Sequence, residues 1–220
     1  MMNEKAQESV RAYDAQAGKL CELYNKLSTT DVLPGIESVL PVNRETLFSY
    51  ALDLGCGSGR DSAWLRSKGF QVIGVDASTE MLKDAWNNNM TDGVAYVLDE
   101  MPELKQVKML NKSGSLEYDF YLMSASWMHL DTPERVALMG AMNEWARPNA
   151  TAYISLRHGP SPADRPMFDT SVEEVQDLAA QLGAASKVLP ATPDQQGRGE
   201  VTWDYVAIQF HPTKRGPKFG

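Results

Sequence analysis

The sequence predicts an α/β protein built on a mostly parallel sheet with helices on both faces, and three observations carry that expectation. Short apolar runs alternate with helix-spaced apolar patterns from Tyr50 to Leu156. The first run breaks at a glycine-rich bend that opens a helix, Ala51-Leu-Asp-Leu-Gly-Cys-Gly-Ser-Gly-Arg-Asp61. Two further strand-like runs, Ser186 to Leu189 and Val201 to Phe210, follow the last helical pattern.

The elements follow in order. Val10, Ala17, Leu20, Leu23, Tyr24 and Leu27 form a helix-spaced stripe over residues 1–28, and a short capped helix is expected between Leu33 and Pro41. Tyr50 to Leu54 reads as the first strand, and Ala63, Trp64 and Leu65 mark the helix behind the bend. The second strand, Gln71 to Asp76, ends in an acid; Ser78 then offers a helix cap ahead of Glu80, and the helix stops at Asn87-Asn88-Asn89. Val94 to Leu98 is the third strand, followed by Asp99, Glu100 and Met101. A short helix and loop fill Leu104 to Glu117, and Tyr118 to Ser124 is the fourth strand. Pro133 behind Thr132 is a good helix start, with Val136, Met139, Met142 and Ala146 as the buried face. Arg147-Pro148-Asn149 is a turn into the fifth strand, Thr151 to Leu156. A polar, proline-rich loop from Ser161 to Asp169 is long enough to cover a pocket, and Val172 to Leu182 is amphipathic and ends at Gly183.

Composition narrows the function classes. At 220 residues one well-cored domain is expected, with no internal repeat. The net charge of −8 argues against a large nucleic-acid footprint, because the only basic cluster is Lys214, Arg215 and Lys218 in a tail that reads as frayed. Two cysteines do not make a secreted disulfide framework, and His129, His158 and His211 show no metal-ligand spacing. No apolar run approaches a membrane span. The expectation is a cytoplasmic protein with no membrane partner and no metal.

The bend is the chemical centre. Glycines permit positive φ and a close approach of backbone to ligand, and the helix start behind them offers free N–H groups. A dinucleotide site spaces its glycines G-x-G-x-x-G. Here Gly55, Gly57 and Gly59 follow G-x-G-x-G, with Asp53 two residues ahead. Asp76 falls about twenty residues beyond the first glycine, where a carboxylate accepts hydrogen bonds from a ribose.

That spacing resembles motif I of the class I S-adenosylmethionine-dependent methyltransferases, and the likeness covers most of residues 50–157. It implies a Rossmann-like, doubly wound, mostly parallel seven-stranded sheet with a C-terminal antiparallel hairpin. It divides the chain into an N-terminal helical lid over 1–45, a methyltransferase domain over 46–211 and a flexible tail over 212–220. The implied cofactor is S-adenosyl-L-methionine, with S-adenosyl-L-homocysteine as product. The implied cofactor-binding set is Tyr13 on the lid; Asp53, Gly55, Cys56, Gly57 and Gly59 at the bend; Asp76, Ala77 and Met81 after the second strand; Asp99, Glu100 and Met101 after the third, near the adenine; and Ser124 and Ala125 after the fourth, where small side chains leave room for the sulfonium.

Methyl transfer from a sulfonium needs alignment and sometimes removal of a proton. His129 and His158 are the base candidates, and Arg157, with Arg165 as a lesser one, is placed to fix a carboxylate or phosphate on the acceptor. Neither an Asn-Pro-Pro-Tyr signature of nucleic-acid amino methylation nor an acid cluster for magnesium is present, which favours a small-molecule acceptor and O, N or S methylation. Two alternatives stand beside this reading: a cofactor-binding sensor or partner subunit without turnover, and a nicotinamide-dependent (NAD) oxidoreductase. The acceptor and the oligomeric state are not legible.

Overall fold

The computed structural model describes residues 2–41, 48–111 and 116–211. The expected 45/46 domain boundary and the tail with Lys214, Arg215 and Lys218 lie outside the described residues. Helix α1 (Glu4–Asn25) is followed by one turn of helix, α2 (Thr29–Val32), and a 3₁₀ turn at Ile36–Val39. The alternating part then runs β1 (Ser49–Leu54), α3 (Arg60–Ser67), β2 (Phe70–Asp76), α4 (Thr79–Asn88), β3 (Val94–Leu98), α5 (Lys105–Leu110), β4 (Tyr118–Met123), α6 (Thr132–Trp145) and β5 (Ala146–His158). Helix α7 (Val172–Gln181) leads to β6 (Ala185–Pro193) and β7 (Thr202–Gln209).

The seven strands lie in the order β3-β2-β1-β4-β5-β7-β6. Strands β1 to β5 are parallel, and β7 runs antiparallel to both β5 and β6. This is the doubly wound sheet with its closing hairpin. Strands buried on both faces read as continuous apolar runs rather than alternating ones; in β2 Val72, Ile73 and Val75 are all buried. One core joins α5, α6 and α7 to the sheet through Val107, Leu138, Met139, Met142, Val175 and Leu178. The other face carries α3 and α4 through Leu65, Leu82 and Ala85, with Leu33 and Ile36 from the N-terminal segment.

Several local expectations change. Asp131, not Thr132, caps α6, in a reciprocal capping box with Glu134. The buried face of α6 holds Arg135 and Leu138, while Val136 is half exposed. Arg135 is admitted because Glu174 of α7 meets its Nη1 at 2.6 Å. The turn at Arg147-Pro148-Asn149 is an irregularity inside a longer β5, where the pairing with β4 slips between Tyr118 and Phe120. Asn149 takes φ 67°, the left-handed conformation that asparagine tolerates in place of glycine.

The order of the strands reverses between β1 and β4. In open sheets of this kind the crevice at that reversal, outside the carboxyl ends of the strands, is where ligands bind.

Candidate active site

The glycine bend leaves β1 at Leu54 and enters α3 at Arg60. Gly55 and Cys56 both donate to the Val75 carbonyl, at 2.8 and 2.9 Å, which draws the bend over the end of β2. Gly55 has φ 81°, and a Cβ there would lie 2.6 Å from the Ser126 Cβ. Gly59 has φ 80°, and a Cβ there would lie 2.2 Å from the Tyr96 Oη. Both positions need a residue without a side chain. The Asp76 carboxylate accepts from the Gly57 amide at 2.8 Å and from the Ser78 amide at 2.9 Å, so it anchors the bend to the start of α4.

Beyond β4 the chain is held just as closely. Ala125 sits at φ 55°, an uncommon backbone state for a residue with a Cβ. It is fixed by its amide, which donates to Ser155 Oγ at 2.7 Å, and by the neighbouring Ser126 Oγ, which donates to the Leu54 carbonyl at 2.7 Å. Strained backbone of this kind collects at ligand sites.

One cavity lies across this edge. Of the residues singled out in the sequence, Tyr13, Gly55, Cys56, Gly57, Asp76, Ala77, Met81, Asp99, Met101, Ser124, Ala125, His129 and Arg157 line it. Helix α1 supplies a wall through Ala6, Ser9, Val10, Tyr13 and Tyr24. It is latched at three points: Asn3 to the Glu134 carboxylate at 2.5 Å, Asp14 to Ser78 Oγ at 2.6 Å, and Asn25 Oδ1 to Ser58 Oγ at 2.8 Å.

Four expected site residues lie elsewhere. Asp53 is fully buried beneath the bend and accepts from Ser62 Oγ at 2.6 Å, because β1 points it into α3 and away from the cavity. Gly59 packs against Tyr96. Glu100 is exposed to solvent. His158 falls on the opposite sheet face from Arg157, as the two-residue period of a strand requires, and its Nε2 lies 3.0 Å from the Asp204 carboxylate of β7. Asp99 does line the cavity, but its carboxylate already takes four backbone N–H groups, from Glu100, Lys105, Gln106 and Val107, at 2.7 to 3.0 Å. It fastens the start of α5, and no lone pair is left over for the adenine amine expected there.

Sequence reasoning missed Arg60 and Asp61, which line the cavity just behind the glycines. Asp61 Oδ2 meets Arg60 Nη2 at 2.6 Å, and Oδ1 accepts from Thr29 Oγ1 at 2.7 Å. Burial works against the Asp61 charge, but Arg60 and these hydrogen bonds outweigh it and hold the carboxyl below its ordinary value. Asp53 moves the other way: burial first, then the nearby Asp61 charge, lifts its pKa to about 8. Burial and the Asp61 charge thus both favour the protonated form of Asp53 under the bend.

That shift predicts a pH effect. Between the ordinary carboxyl value and pH 8 the folded chain keeps a proton on Asp53 that the unfolded chain has released, so stability falls as pH rises through this window. Asp53→Asn removes the titration while keeping an oxygen for Ser62. Relative to the parent, the variant gains on the order of 1–3 kcal/mol between pH 5 and pH 8 in urea unfolding. A constant difference across that range contradicts the assignment.

The half of the cavity under β5 and the hairpin has a different chemistry. Tyr13 Oη lies 3.3 Å from His129 Nε2, with the rings edge to face, and the Arg165 guanidinium lies 5.4 Å from the Tyr13 ring centroid. Burial, then the charges of Arg165 and Arg157, brings the His129 pKa down to about 4, so the ring is neutral at neutral pH. Burial also raises the Tyr13 phenol, which keeps its proton. From the hairpin, Arg198 grips Asp194 through Nε at 3.0 Å and Nη2 at 2.5 Å, and Trp203 Nε1 donates to the same carboxylate at 3.0 Å. The cavity is bipolar. Asp61, Asp76 and Asp99 line the β1–β3 side with one cation, Arg60, and Arg157, Arg165 and Arg198 line the other with one carboxylate, Asp194.

A doubly wound sheet of this strand order, with a glycine bend and an acid at the end of β2, defines the class I methyltransferase fold. Residues 51–149 match the family model described as "Methyltransferase domain". That segment is similar to the methyltransferase-domain family. Solved structures agree in fold. A 1,6-didemethyltoxoflavin N1-methyltransferase from Burkholderia thailandensis, with its acceptor and S-adenosylhomocysteine bound, is 15% identical with a TM-score of 0.67, over 94% of this chain and 89% of that one. An S-adenosylmethionine-dependent methyltransferase from Anabaena variabilis is 15% identical with a TM-score of 0.61, over 92% and 94%. The magnesium protoporphyrin IX methyltransferase of Synechocystis, with S-adenosylmethionine bound, is 14% identical with a TM-score of 0.57, over 96% and 86%. No curated protein matches the chain in sequence. Among the described residues no helix is long and apolar enough to cross a membrane, and no group of three histidine, cysteine or acidic side chains stands ready to hold a metal.

Proposed function

We propose that the chain methylates an O, N or S atom of a small-molecule acceptor held between α1, the end of β5 and the β6–β7 hairpin. The observation that supports this most is the bipolar cavity, whose acidic half suits a sulfonium and an ammonium while its other half is walled by aromatic, histidine and arginine side chains. The acceptors named for two structural neighbours, 1,6-didemethyltoxoflavin and magnesium protoporphyrin IX, are also small molecules. The net charge of −8 does not favour a polynucleotide. Two buried free thiols, Cys21 and Cys56, suit a reducing compartment such as the cytoplasm.

The residues fit the cofactor. The bend lines the cavity through Gly55, Cys56 and Gly57, and Asp76, held by backbone amides including those of Gly57 and Ser78, stands at the cavity wall where a ribose hydroxyl can donate to it. Asp61 and the carbonyl edge at Ser124 and Ala125 are placed to receive the ammonium group. Met81 and Met101 offer apolar contact to the adenine. When bound, the cofactor supplies an activated methyl group on a good leaving group. The chain's own task is alignment and control of one proton. Helix α1 acts as the lid, bringing Tyr13 to His129 and excluding water from that half. Neutral His129 is the group placed to take a proton from the acceptor atom as that atom attacks the methyl carbon and the carbon–sulfur bond breaks.

Methyl transfer from labelled cofactor to a metabolite panel tests this reading. His129→Gln lowers kcat by about tenfold or more, with cofactor affinity kept, as loss of a general base does. His158→Gln stays within about twofold of the parent, since that ring faces Asp204. Unchanged turnover in the His129 variant contradicts its role, and no transfer to any small molecule contradicts the acceptor class.

A further inference from the structure

We propose that the acceptor carries a carboxylate, and that Arg157, flanked by Arg165 and Arg198, is the subsite that receives it. This deepens the small-molecule reading above and rests on it.

Positive charge exceeds negative in this half of the cavity. Three guanidinium groups and one carboxylate, Asp194, line this half of the cavity, and a second carboxylate, Asp164, stands beside Arg165. Asp194 is taken by Arg198 and Trp203. Asp164 lies 3.7 Å from Arg165 Nε and also accepts from Gln16. Among the described residues no carboxylate reaches ion-pair distance of Arg157. That side chain is only 7% exposed, yet arginine does not give up its charge. Its Nη1 and Nη2 donate to the carbonyls of Gly159 at 3.1 Å and Pro160 at 2.8 Å, and its Nε–H has no partner. A buried cation without an anion is costly unless something else supplies one.

Position separates this group from the cofactor. Arg157 closes β5, while the glycine bend, Asp76 and Asp99 belong to the ends of β1, β2 and β3. Arg60, next to the bend and paired with Asp61, is the guanidinium on the cofactor's side of the cavity. Geometry favours a planar anion. With both terminal nitrogens tied to carbonyls, the edge of Arg157 left to give is the one carrying Nε–H, and arginine meets a carboxylate side-on with two parallel bonds. Trp203 and Tyr205, on the neighbouring strand of the hairpin, supply aromatic surface beside it.

The test uses the full chain loaded with S-adenosylhomocysteine, titrated with ring-hydroxylated and ring-aminated benzoates, the matching carboxamides, and hydroxyphenyl phosphate. At least one benzoate binds about tenfold or more tighter than its carboxamide. Arg157→Gln abolishes that preference, Arg157→Lys restores part of it, and Arg165→Gln reduces it. The proposal is overturned by equal binding of benzoates and carboxamides, by absence of binding throughout the panel, or by preference for the phosphate. It is equally overturned if Arg157→Gln weakens S-adenosylhomocysteine about tenfold and leaves the preference intact, since the partner is then the cofactor's carboxylate. Failure of the parent chain to bind S-adenosylhomocysteine sinks the cofactor site instead and is read separately.

Discussion

Asp76→Ala is expected to weaken S-adenosylhomocysteine binding by about 2–4 kcal/mol, more than loss of one ordinary hydrogen bond. Two effects add. The carboxylate offers charge-assisted acceptance to the ribose hydroxyls, and it also holds Gly57 at 2.8 Å and the start of α4 at Ser78. Its removal frees the bend as well as the ligand. Asp76→Asn separates the two, since the amide oxygen still accepts from one N–H while the charge is gone; it is expected to lie between parent and alanine variant. Calorimetry reads both. Parent-like affinity in the alanine variant removes Asp76 from the site.

Gly59→Ala is expected to lose about 2–4 kcal/mol of stability together with most cofactor affinity. The residue begins α3 at φ 80°, which alone costs an alanine about 1 kcal/mol or more. The added methyl would also stand 2.2 Å from Tyr96 Oη, 2.7 Å from its Cζ and 3.0 Å from the Ala85 Cβ. Tyr96 cannot simply swing away, because its hydroxyl donates to the Asn89 carbonyl at 3.1 Å and the ring packs against Trp86. Tyr96→Phe in the same chain removes the oxygen and leaves Cζ, so only part of the loss returns. Urea unfolding measures the first effect and calorimetry the second; an unchanged midpoint contradicts the packing described here.

The parts legible in the sequence were those with a local signal. Glycines at alternate positions, an acid closing the second strand, and asparagine where a left-handed turn was needed each declare themselves within a few residues. What stayed hidden depended on neighbours distant in the chain. Arg157 and His158 are adjacent letters, and only the register of β5 against β7 decides that the first faces the cavity and the second Asp204. Asp99 looked like an adenine acceptor until the loop after it brought the first amides of α5 onto its carboxylate. Asp53 was expected among the cofactor ligands, but Ser62 and the α3 packing bury it away from the cavity. The Asp194, Arg198 and Trp203 wall comes from a hairpin that carries no motif. The one signal for it was a loop of Gln195, Gln196, Gly197 and Gly199 too polar for a core and placed at the carboxyl edge.

The central claim is that the glycine bend with Asp76 seats a sulfonium nucleoside and not a pyrophosphate. Isothermal calorimetry of the full chain against S-adenosylhomocysteine and, separately, NAD tests it most directly. Saturable one-to-one heat with the first and none with the second is the predicted result; heat with NAD alone, or with neither, contradicts it.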